Sequence, residues 1–150
     1  DGSLFDGSYV CYKEDVDLAW RLRTLGIPCW YAPEAVAYHY RTAKGSEQRS
    51  LATAVRERRE KSPLVNFWST RNHWLMLIKN DTLGSVLLHG YRFFPYEIAK
   101  LVYLTFSEPR SLKAIPSALS LTSKMLKKRK AIRAAAKARG GAQSIRKWLV

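Results

Sequence analysis

Three observations predict an α/β class for this chain, closing early and continuing as helices. Strand, helix and strand signals follow one another within the first forty residues, as they do at the end of an α/β domain. The segments behind them carry apolar residues at helical spacing and little strand character. Charge divides the chain in the same place. Of 150 residues, 26 are Lys or Arg and 12 are Asp or Glu, a formal charge of +14. Residues 1–40 nevertheless hold six acids against Lys13, Arg21 and Arg23, so an acidic head precedes a strongly basic body. The expected division is 1–44 for the α/β part, 45–106 for a helical, membrane-facing extension and 107–150 for a basic amphipathic tail.

Residues 1–12 read as a loop feeding a short extended stretch, Tyr9-Val10-Cys11-Tyr12. A helix is expected over about 15–25, because Leu18, Leu22 and Leu25 recur at helical spacing. Gly26 closes it and Pro28 prevents its continuation. Ile27 to Tyr31 and Ala35 to Tyr40 are the two predicted strands, joined by a turn at Pro33-Glu34. Residues 51–61 read equally well as a solvated helix or a loop. The segment from Pro63 to Ile78 is helix-like, and Asn80-Asp81 and Gly84 are expected to interrupt it. A further helix runs from Pro95 to Phe106, and Ser107-Glu108-Pro109 signals a fresh helix start. No apolar run reaches the roughly 20 residues of a spanning helix.

The chemistry concentrates in Glu14-Asp15-Val16-Asp17. Asp15 or Asp17 can cap the helix start, since a carboxylate accepts from backbone N–H groups that lack partners. One carboxylate suffices for a cap. Three crowded together repel, so the others require a cation, a proton or a substrate hydroxyl. Asp17 also stands four residues before Arg21, the spacing of a helical ion pair.

The residues Leu4-Phe5-Asp6, Tyr12 to Arg21, Leu25-Gly26, Trp30 to Ala35 and Tyr38-His39 together resemble the C-terminal part of family 2 glycosyltransferases, in particular the rhamnosyltransferase-like bacterial branch. Arg71-Asn72 and Lys79-Asn80 extend the likeness more loosely. The resemblance implies the C-terminal portion of a GT-A catalytic fold and an inverting transfer of sugar from a nucleotide-sugar donor to a glycan or lipid-linked acceptor. By the same resemblance Asp15 is the general base, Glu14 beside it touches acceptor hydroxyls, and His39 is a ligand of a divalent metal (Mg2+ or Mn2+), while Asp17 is a further candidate for substrate binding. Most ligands to that metal belong to an upstream acidic motif that these 150 residues do not include. The chain opens without a methionine and reads as the C-terminal part of a longer protein, inactive alone. Gln48-Arg49-Ser50 does not reproduce the Gln-Arg-Trp motif of the processive synthases, so a non-processive enzyme is expected.

Trp20 and Trp30 have two readings, stacking on an acceptor sugar or packing in the core. Cys11 and Cys29 lack metal-ligand spacing and are expected as buried free thiols of a reducing compartment. His73 and His89 have no partners at ligand spacing. Residues 121–150 carry ten Lys or Arg and no acid. Such a tail suits an anionic membrane surface, which with the resemblance places the protein in the cytoplasm against the inner face of the membrane. A nucleic-acid partner and a merely solvated helix are the alternatives. Of these, nucleic acid is disfavoured, because the lysines carry no recognition motif and only Trp148 among them.

Overall fold

The computed structural model describes residues 3–38 and 50–140. The described residues form six α-helices, with a 3-10 turn at Pro109–Lys113. In chain order they are α1 (Glu14–Thr24), α2 (Leu51–Glu60), α3 (Pro63–Asn80), α4 (Leu83–Ser107), α5 (Ala114–Ser120) and α6 (Thr122–Ala138). No strand occurs among them, which overturns the expected α/β, GT-A architecture. Residues 27–38 form no helix and turn at Pro33-Glu34, where the Ala35 N–H donates to the Ala32 carbonyl at 3.1 Å. No described segment pairs beside them, and a strand exists only as part of a ladder. Their large side chains therefore face solvent, with Trp30 88% and Tyr38 98% exposed. His39 lies outside the described residues.

α3 is the axis of the fold, packed against α1, α5, α6 and the 3-10 turn. Ser62 accepts from the Val65 N–H and Pro63 occupies the first turn, so the sequence starts this helix where its orphan donors are satisfied. Leu75 and Met76 of α3 meet Tyr9, Ala118 and Met125 in a small buried cluster, with Trp20, Trp74 and Ile78 packed on it. Asn80 ends α3, Asp81 follows in an extended conformation, and the Thr82 hydroxyl caps α4. α1 closes as expected. Gly26 has φ of 71°, its N–H donates to the Arg23 carbonyl, and the Ile27 N–H reaches back to Leu22.

α4 departs from expectation in two ways. It runs unbroken through Gly84 and Pro95 for 25 residues. A proline inside a helix leaves the carbonyl four residues earlier without its donor. Here that carbonyl belongs to Tyr91, and both residues are exposed, so water can satisfy it. The second departure is the orientation of the helix. Its buried residues are Ser85, Gly90, Glu97 and Leu104, whereas Leu83, Leu87, Tyr91, Phe94, Ile98, Val102 and Phe106 recur at helical spacing and are 50–83% exposed. The helix turns polar groups inward and an apolar stripe outward, the reverse of a soluble surface helix.

Ser107 ends α4 instead of capping a new helix, and the expected fresh start is the 3-10 turn behind Glu108. Both cysteines are free, as expected, but Cys29 is exposed and only Cys11 is partly covered.

Candidate active site at the acidic block

The acidic block is delivered by two residues of strained backbone. Tyr12 and Lys13 have φ of 69° and 72°, in the left-handed region that non-glycine residues rarely enter. Their conformation is held from α3. The fully buried Asn72 donates to the carbonyls of Cys11 at 2.7 Å and Tyr12 at 3.0 Å. Neighbouring Arg71 donates to the Ser8 carbonyl at 3.1 Å. Strain of this kind persists where surrounding bonds over-determine it, and it concentrates at functional sites.

The three carboxylates then part company. Neither aspartate caps the helix, because Lys13 occupies the cap position and no side chain bonds there. Asp15 is exposed on the first turn, where its Oδ1 accepts from the Val16 N–H at 2.8 Å. Glu14 is partly buried, and its Oε2 is covered by protein without a hydrogen-bond donor. Its charge and, above all, burial push the Cys11 thiol above its usual range.

Asp17 faces the interior and is fully buried. Its Oδ2 accepts from Lys79 Nζ at 2.7 Å and Arg21 Nε at 2.9 Å, and its Oδ1 from Asn80 Nδ2 at 2.7 Å and the Tyr9 hydroxyl at 3.3 Å. Both oxygens are committed to the protein, which removes Asp17 from the acceptor-binding set and leaves the Arg21 pairing. Trp20 likewise packs on the buried cluster and takes the core reading over sugar stacking. Trp30 is exposed.

The likeness at Arg71-Asn72 and Lys79-Asn80 thus falls on the residues that clamp the N-terminal segment to α3. The pairs are eight residues apart, so they share a helix face. What sequence reasoning missed is Asp6 as a second buried anion. Asp6 accepts from Lys79 Nζ at 2.7 Å, from the Ser8 N–H at 2.9 Å and from Lys128 of α6. The acidic head is therefore matched by part of the basic tail, and Arg129, half-buried, and Arg133, exposed, donate to the carbonyls of Ile78 and Asp81.

A prediction about acid follows from Asp6. Burial alone would raise its pKa, but the bonds from Lys128, Lys79 and the Ser8 amide hold the carboxyl well below its ordinary value. A carboxyl depressed in the fold contributes stability above its unfolded pKa of about 3.9 and loses it as pH falls through the folded value. Urea midpoints should hold steady down to about pH 5 and fall below about pH 4. Asp6→Asn should flatten that fall, leaving the smaller slope of Glu97, whose carboxyl is also held down despite burial by His73 and Lys100. An unchanged slope would contradict the assignment.

His73, given no role by its sequence spacing, bonds Glu97 of α4 through Nε2 at 2.8 Å. Beside them, burial lowers the pKa of Lys100, helped by the charges of Arg58 and Lys13 and opposed by Glu97. The His73–Glu97 bond links α4 to α3.

Among the described residues no three His, Cys, Asp or Glu side chains come together as metal ligands. His39, the ligand that the resemblance implies in this chain, lies outside the described residues. No helix among the described residues is long and apolar enough to cross a membrane. Comparison with protein-family models, with curated proteins and with solved structures returns no match for this chain.

Proposed function

We propose that the chain supplies the acceptor-activating carboxylate of an inverting, non-processive glycosyltransferase. Such an enzyme moves a sugar from a nucleotide donor to a hydroxyl of a cell-surface glycan or lipid-linked acceptor. The observation that supports the reading is the separation of roles at the acidic block. Asp17 is spent inside the fold, while Asp15, two residues away, stands exposed on a helix start fixed by the Asn72 clamp. Direct displacement at an anomeric carbon requires the attacking hydroxyl to lose its proton as it attacks. A carboxylate within hydrogen-bond reach accepts that proton. Glu14 Oε2 lacks a donor, and a small shift of its side chain would let it receive a second hydroxyl of the same sugar.

The test is transfer from nucleotide-sugar donors to lipid and glycan acceptors by the enzyme containing this chain, compared with Asp15→Asn. Turnover in the variant should collapse while its melting is unchanged. Full turnover would overturn the proposal.

A second reading, membrane-surface binding, is favoured by α4. Its outward stripe from Leu83 to Phe106 has no partner among the described helices that covers it. Interfacial helices lie in the bilayer plane with such a face in the acyl boundary. The two readings are compatible, since a lipid-linked acceptor would be met at that surface.

A further inference from the structure

The last two turns of α4 wall a second site, remote in sequence from the acidic block. A cavity of about 340 Å³ opens between α2, the start of α3 and the end of α4. That volume falls within the roughly 300–1,000 Å³ typical of ligand clefts. Four cations line it, Arg58, Arg59, Lys61 and Arg110, against one carboxylate, Glu108. That carboxylate is already engaged, accepting from Arg58 Nε at 2.5 Å and from the Ser111 hydroxyl. Arg58 also donates to Thr70 at 2.8 Å, so it builds the wall and is not a free ligand group. Arg59, Lys61 and Arg110 form no ion pair among the described residues. The cavity therefore holds an excess of unspent positive charge on a wall fixed by Arg58.

The neighbourhood identifies the bearer of the matching negative charge. Tyr103 and Ser107 of α4 line the cavity, while Val102 and Phe106, on the adjoining row of the same helix, end the outward apolar stripe. A soluble anion or a nucleic acid would gain nothing from that stripe. A lipid satisfies both, with its phosphate among the cations and its chains beside Phe106.

We propose that this cavity takes the phosphate-bearing head of a membrane lipid while the apolar face of α4 sits in the bilayer beside it. The inference rests on the membrane-surface reading of α4. Arg and Lys favour a terminal phosphate over a phosphodiester, because the former offers more oxygens and more charge to N–H donors.

The experiment floats the full chain with phosphatidylcholine vesicles doped with phosphatidic acid or, at matched total charge, phosphatidylserine. Phosphatidic acid should be preferred about tenfold in apparent Kd. Combined Arg59→Gln, Lys61→Gln and Arg110→Gln, all outside the buried clamp, should bring the two lipids to parity with helicity intact. Leu87→Ser with Phe94→Ser should instead weaken binding to both lipids and keep the preference. Parity in the wild-type chain, or a preference that survives the triple variant, would overturn the cavity proposal while leaving α4 on the membrane. No flotation with any vesicle would overturn the surface reading itself. Binding of pyrophosphate or duplex DNA that is tighter than vesicle binding and lost in the triple variant would overturn the cavity proposal, in favour of a soluble phosphate or a nucleic acid.

Discussion

Lys79→Met should destabilise the fold by about 3–5 kcal/mol, the cost of breaking a buried charge pair from one side. Lys79 is 2% exposed and its ammonium lies 2.7 Å from both Asp6 and Asp17. Methionine fills the same space but leaves two interior carboxylates facing each other. Asp17 retains Arg21 and Asn80, and Asp6 retains Lys128, so the loss is large without being total. Against a total stability of about 5–15 kcal/mol that loss is a large fraction of what holds the fold. Urea titration followed by circular dichroism reads the effect, and a midpoint equal to that of the wild type would show that the pair contributes nothing. Asp6→Asn combined with Lys79→Met should recover part of the loss, because it removes one of the stranded anions.

Asp15→Asn carries the other large effect, on rate. General-base assistance by a positioned carboxylate contributes about 10²–10⁴-fold, and an amide of the same shape cannot accept the proton. Among the described residues the exposed side chain bonds the adjoining Val16 amide alone, so its loss should leave the fold within about 0.5 kcal/mol of the wild type. kcat and kcat/KM should fall together, because the interaction removed belongs to the transition state. A rise in KM at constant kcat would instead make Asp15 a binding group.

Local signals of the fold were legible where chain neighbours decide the outcome. Ser62-Pro63 starts a helix, and Leu25-Gly26-Ile27 ends one, because each terminus satisfies its own backbone groups. The strands were misread because alternation in Ala35–Tyr38 describes only a backbone preference. Whether a ladder forms depends on a second segment that local pattern cannot supply. Proline at position 95 read as a helix start, since the cost of an interior proline is small only when the freed carbonyl is exposed. The block Glu14–Asp17 and the pairing of Asp17 with Arg21 are legible in the sequence, but the burial of Asp17 is not. Which aspartate turns inward is set by Lys79 and Asn80, more than sixty residues downstream. A polar pair recurring at 71–72 and 79–80, on the same face as Leu75 and Met76, was the available signal. Lysine and asparagine where a core is expected imply a buried anion opposite them. The cavity at Arg58 leaves no such trace, because Arg110 joins the cations of 58–61 only through the fold.

The division of Asp15 from Asp17 is the claim on which the site rests, and paired urea melts of Asp15→Asn and Asp17→Asn test it directly. The Asp15 variant should melt with the wild type, and the Asp17 variant should lose several kcal/mol as Lys79 and Arg21 forfeit a shared charge. Equal losses in both, or a larger loss at Asp15, would mean that the exposed carboxylate is holding the fold and is not available to a substrate.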